Sequence, residues 1–147
     1  MDGAIGDEIL KLNGENSDVI TFHTYEAEKL EPTIERLKEF GRPLLCTEYM
    51  AREFGTTFEF SLPIFKKENV GCYNWGFVAG KSQTHFGWST ILELQERKKK
   101  GDVINKGDEL PEPTEWFHDI YRIDGSPYDK KEICLLYTSD AADEADG

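Results

Sequence analysis

The chain has 147 residues, and its 17 Lys and Arg against 29 Asp and Glu give a formal charge of −12. So acidic a chain lacks the clustered positive charge on which phosphate-backbone affinity rests, which excludes a general nucleic-acid binder. Apolar residues at 38%, with aromatic residues at 12%, point to one globular domain with a packed core, and without a long apolar run or a basic leader no membrane span or signal peptide is expected.

Met1 to Ser17 carries a weak helical pattern in Ile5, Ile9, Leu10 and Leu12, closed by a turn signal at Asn13, Gly14, Glu15 and Asn16. Val19, Ile20, Thr21 and Phe22 are β-branched and aromatic, and predict a first strand ending at His23, Thr24 and Tyr25. From Ala27 to Phe40, Leu30, Ile34 and Leu37 recur at helical spacing between charged residues, with Pro32 near the first turn and Gly41 as the stop. Pro43 to Thr47 reads as a second strand, proline taking the first position where it removes no ladder bond. Glu48 and Tyr49 stand at its end.

After Gly55, Thr56 and Glu59 form a capping box ahead of Phe58, Leu62 and Phe65. Pro63 inside that helix removes a hydrogen bond, at roughly 3 kcal/mol unless the helix kinks or starts late. Asn69 to Gly76 predicts a third strand. A polar insertion from Lys81 to Leu110 follows, and its basic run Arg97, Lys98, Lys99, Lys100 reads as a solvated face. A last helix is predicted from Thr114, with Trp116, Phe117, Ile120 and Tyr121 on its buried face and His118 structural or exposed.

Residues from Cys134 change character, with acidic residues, alanines and no apolar periodicity, and read as a frayed acidic tail. The run Cys-Leu-Leu-Tyr-Thr-Ser-Asp-Ala-Ala-Asp also resembles translated sequencing adapter, so residues 134–147 are expected to be non-native. Without Asp140, Asp143, Glu144 and Asp146 the charge would be −12 + 4 = −8, still acidic.

Apolar strands separated by amphipathic helices predict an α/β fold with a parallel sheet covered by helices. Functional residues of such folds collect at the carboxyl ends of the strands. Here those ends present His23 and Tyr25, then Glu48 and Tyr49, then Trp75 with Asn74 or Phe77. A carboxylate, hydrogen-bonding rings and a flat indole suit a sugar, whose apolar faces stack on tryptophan while its hydroxyls need convergent donors and acceptors. A carboxylate so placed can attack an anomeric carbon when a second carboxyl group protonates the leaving oxygen. Cys46 and Cys72 read as small buried residues. No His, Cys and carboxylate cluster has metal-ligand spacing and no glycine-rich phosphate loop follows a strand, so no cofactor is expected.

His23-Thr24-Tyr25, Cys46-Thr47-Glu48-Tyr49 and Tyr73-Asn74-Trp75-Gly76 together resemble the ends of strands six, seven and eight of the retaining (β/α)8 glycoside hydrolases, closest to family 5 and the cellulase-like or β-xylanase-like bacterial proteins near it. The resemblance runs through Trp116 to Arg122 and Asp124 to Tyr128, and covers Ser17 to Ile133. It implies a partial TIM barrel over residues 1–133, the carboxy-terminal part of a larger domain, since a complete barrel takes about 250 residues. It implies Glu48 as the nucleophile, with His23, Tyr25, Tyr49 and Trp75 binding an oligosaccharide or polysaccharide substrate. The family's acid/base glutamate follows an asparagine at the end of strand four, and Asn-Glu occurs nowhere in this sequence. The fragment is therefore expected to be inactive alone. The alternative is a non-catalytic carbohydrate-binding or structural α/β domain in which Glu48 only accepts hydroxyl hydrogen bonds.

Overall fold

The structure, a computed structural model, describes residues 7–105 and 107–144. The elements run α1 (Asp7–Asn16), β1 (Ile20–His23), α2 (Ala27–Lys38), β2 (Leu44–Glu48), a short 3-10 helix (Arg52–Phe54), α3 (Phe58–Glu68), β3 (Gly71–Cys72), α4 (Trp88–Lys99) and α5 (Lys130–Glu144). The three strands form one parallel sheet in the order β1-β2-β3. The chain is thus mixed α/β, with each parallel crossover made by a helix, as the alternating pattern predicts.

Burial explains the order. Ile20 and Phe22 of β1 and Leu44 and Cys46 of β2 point to one face, where Leu30, Ile34 and Leu37 of α2 and Phe58 and Phe65 of α3 cover them. Burying a side chain the size of Leu30 or Ile34 contributes about 1.5–3 kcal/mol. Thr21, between Ile20 and Phe22, is exposed, so β1 alternates instead of being buried on both faces.

Several expectations are corrected. The third strand shrinks to Gly71–Cys72 because Asn69 turns left-handed (φ 53°) to cap α3, while the Asn74 side-chain amide donates to the Gly76 carbonyl in a local turn. Backbone bonds from Tyr73 to the Cys46 carbonyl (2.8 Å) and from Trp75 to the Tyr49 carbonyl (3.0 Å) still hold this segment beside β2. The helix expected from Thr114 does not form. Trp116, Phe117 and Ile120 are buried, but the N–H groups of Phe117, His118 and Ile120 donate to the carbonyls of His85, Thr84 and Phe77 instead of to the preceding turn. His118 is buried.

The cap of α3 is Thr57, whose side chain accepts from the Phe60 N–H, one residue later than the capping box places it. Pro63 stands inside α3, which starts at Phe58, and Pro32 lies inside α2. Asn13 to Asn16 belong to α1 instead of a turn, and Ile5 lies outside the described residues. The insertion contains α4, a helix with no buried residue and Arg97, Lys98 and Lys99 in its last turn, where cations complement the helix dipole. Residues past Cys134 are helical through Glu144 instead of frayed, because α5 begins upstream and Ile133 and Leu136 pack against the core. No helix among the described residues is long and apolar enough to cross a membrane.

Candidate active site

The site begins with an irregularity in the sheet. β1 and β2 run in register from Ile20 opposite Leu44 to Phe22 opposite Cys46, and then the register shifts so that His23 faces Glu48 instead of Thr47. An extra residue of this kind re-aims the side chains beyond it. Strict alternation from Leu44 and Cys46 would send Glu48 into the core. The bulge frees it, and Tyr49 goes in instead.

Two side chains from the β1 end converge on one oxygen of Glu48. The Tyr25 hydroxyl donates to Oε2, and His23 Nδ1 lies 3.2 Å from the same atom. Oε1 carries no hydrogen bond among the described residues, and the Glu48 side chain is 23% exposed. Burial pushes the Tyr25 phenol well above its ordinary pKa, and its hydrogen bond to Glu48 and the charge there push it further. Tyr25 therefore remains a donor throughout the ordinary pH range. Its own carbonyl accepts from the buried Thr56 hydroxyl at 2.8 Å, which ties the β1 end to the loop before α3.

Trp75 stands at the next strand end, 45% exposed, with its backbone N–H donating to the Tyr49 carbonyl. Tyr49 is not a wall of the site. It is buried against Phe58 and Phe65, its ring centroids 6.1 and 4.9 Å from theirs, and burial raises its phenol pKa strongly. The structure thus brings His23 and Tyr25 onto Glu48, puts Trp75 one strand over, and removes Tyr49. Asn74 is occupied by its own turn.

Sequence reasoning missed further groups around the carboxylate. Trp88 opens α4, is 51% exposed, and meets the Tyr25 ring edge-on at 6.0 Å, so a second indole stands on the β1 side. His118 lies 5.5 Å from the Tyr25 ring and its Nδ1 is 2.5 Å from the Met50 carbonyl. Arg52 is buried, forms a forked pair with Glu132 (2.8 and 2.6 Å) and donates to the Trp116 and Asp119 carbonyls (3.0 and 3.1 Å), pinning the segment that carries His118. A tryptophan inside a polar insertion was the one available signal for Trp88. Nothing in the local sequence of His118 or Arg52 announces them, since their partners lie more than sixty residues away.

Among the described residues no group of three or more His, Cys, Asp or Glu could hold a metal ion. No family model, curated protein or solved structure matches the chain.

Proposed function

We propose that the chain carries the nucleophile half of a retaining glycosidase site acting on β-linked glycans, with Glu48 as nucleophile. The observation that carries this reading is the convergence of Tyr25 and His23 on Oε2 of Glu48, which leaves Oε1 without a hydrogen bond among the described residues. Two fixed partners orient the carboxylate and restrain its rotation, so that one oxygen is presented for attack. Oε1 forms a bond to the anomeric carbon as the bond from that carbon to the leaving oxygen breaks, the leaving group taking the electron pair. Trp88 meets the Tyr25 ring and Trp75 is held beside the end of β2 by its backbone bond to Tyr49, and both, half-exposed, can offer flat indole faces to sugar rings.

The resemblance to family 5 and its neighbours supports the same roles for Glu48, His23, Tyr25 and Trp75, and the missing Asn-Glu pair leaves this chain with no assigned general acid. The test therefore uses a substrate that needs no acid. Glu48→Gly with sodium azide and a dinitrophenyl β-cellobioside should release dinitrophenol and give the α-glycosyl azide, the azide entering where the carboxylate was. Azide-independent release equal to that of the unaltered chain would contradict the role.

A further inference from the structure

Met50, two residues past Glu48, is fully buried and adopts a left-handed backbone (φ 71°). For a residue with a long side chain that conformation costs on the order of 1–3 kcal/mol and persists only where the surroundings over-determine it. The surroundings are visible. The Ala51 N–H donates to both the carbonyl (3.1 Å) and the hydroxyl (3.0 Å) of Thr56, the Arg52 N–H to the Phe117 carbonyl (3.2 Å), and the Tyr49 carbonyl accepts from Trp75. The Met50 carbonyl itself is held by His118 Nδ1.

A carbonyl only accepts, so Nδ1 of His118 carries the proton and donates. His118 is itself fixed, its N–H bonded to the Thr84 carbonyl (3.1 Å) and its ring against Tyr25. Its Cβ sits so near Gly76 (φ +89°) that a Cβ there would fall 2.7 Å away, so only glycine lets the segment after β3 close on it. His118 therefore meets the backbone past β2 and the ring past β1 with its imidazole, and the backbone past β3 with its Cβ.

From this geometry we infer that His118 is the positioning residue of Glu48, acting through Met50: its Nδ1–H locks the left-handed turn that follows the carboxylate and keeps Glu48 against Tyr25. The inference rests on the reading of Glu48 as the working carboxylate, and it adds a residue contributed from far along the chain.

Asn and Gln separate this role from simple packing. His118→Asn puts an amide N–H where Nδ1 stood, whereas His118→Gln puts it at the position of Nε2, and both are polar and smaller than or similar to histidine. In the full chain, the readouts are the downfield proton resonance of the Tyr25 hydroxyl, assigned by its loss in Tyr25→Phe, and the rate of labelling of Glu48 by an activated fluoro-β-glycoside. In His118→Gln the resonance should move upfield and labelling should slow by about tenfold, as for one lost hydrogen bond. His118→Asn should restore both. An unchanged resonance in His118→Gln, or equal loss in both variants, would overturn the positioning role. If the unaltered chain takes no label while the resonance follows the expected pattern, the positioning role stands and the glycosidase reading fails.

Discussion

The hydroxyl of Tyr25 and the carboxylate of Glu48 are 23 residues apart in sequence and joined directly across the ends of β1 and β2. The bond goes to an ionised acceptor, the kind that contributes roughly 1.5–3 kcal/mol. Tyr25→Phe should therefore slow attack by Glu48 on an activated aryl β-glycoside by about tenfold to a hundredfold, while the far-ultraviolet spectrum stays unchanged. Stopped-flow release of dinitrophenol measures it. An unaltered rate would show that the bond does not orient the carboxylate.

Loss of the indole acts differently. Stacking supports the bound sugar before and during reaction alike, so Trp75→Ala should weaken binding and rate together, by about 0.5–1.5 kcal/mol beyond the area lost. Trp88→Ala should also weaken binding, by removing an indole that meets the Tyr25 ring edge-on at 6.0 Å. Titration with cello-oligosaccharides measures both.

His118 also predicts a pH dependence of stability. Burial holds its pKa below the ordinary value; the nearby Asp119 and Glu48 oppose that shift and Arg52 adds to it. The unfolded chain thus binds a proton near pH 6.5 that the folded chain refuses, and stability falls as pH drops through about 6.5 toward the lower folded value. Chemical denaturation of the unaltered chain and His118→Asn between those limits should show a shallower acid slope in the variant. Identical slopes would place the titration elsewhere.

The thiols report on the sheet. Cys46 is fully buried and its thiol is pushed up to about 12, mainly by burial, whereas Cys134 is exposed. Iodoacetamide at mild alkaline pH should modify Cys134 first and Cys46 only as fast as the chain unfolds, read by peptide mass spectrometry. In the same core, Ile34→Ala should cost about 2–5 kcal/mol and the partly buried Leu136→Ala less, measured by urea denaturation.

Strand periodicity made β1 and β2 legible, and the spacing of Leu30, Ile34 and Leu37 made α2 legible, because local pattern and burial agree there. His23, Tyr25 and Glu48 were also legible, since they sit just where parallel strands end. Tyr49 was not. Which of two adjacent residues enters the core depends on the bulge between β1 and β2, a property of the pairing and not of either strand. The apolar run from Trp116 to Tyr121 has helical spacing but finds its hydrogen-bond partners in the segments of Phe77, Thr84 and His85, so tertiary pairing overrides the period. His118 could be read only as structural or exposed for the same reason, and its buried bond to the Met50 carbonyl is set by the tertiary fold.

The role of Glu48 is tested most directly by incubating the full chain with a dinitrophenyl β-glycoside carrying fluorine beside the anomeric carbon. Attack forms the bond from Oε1 to that carbon and expels dinitrophenolate, while the fluorine slows hydrolysis of the resulting ester. Mass spectrometry should then find one fluoroglycosyl group per chain on the peptide containing Glu48, and none in Glu48→Gln. Labelling at any other residue, or none under conditions where the fold is intact, would contradict Glu48 as the nucleophile.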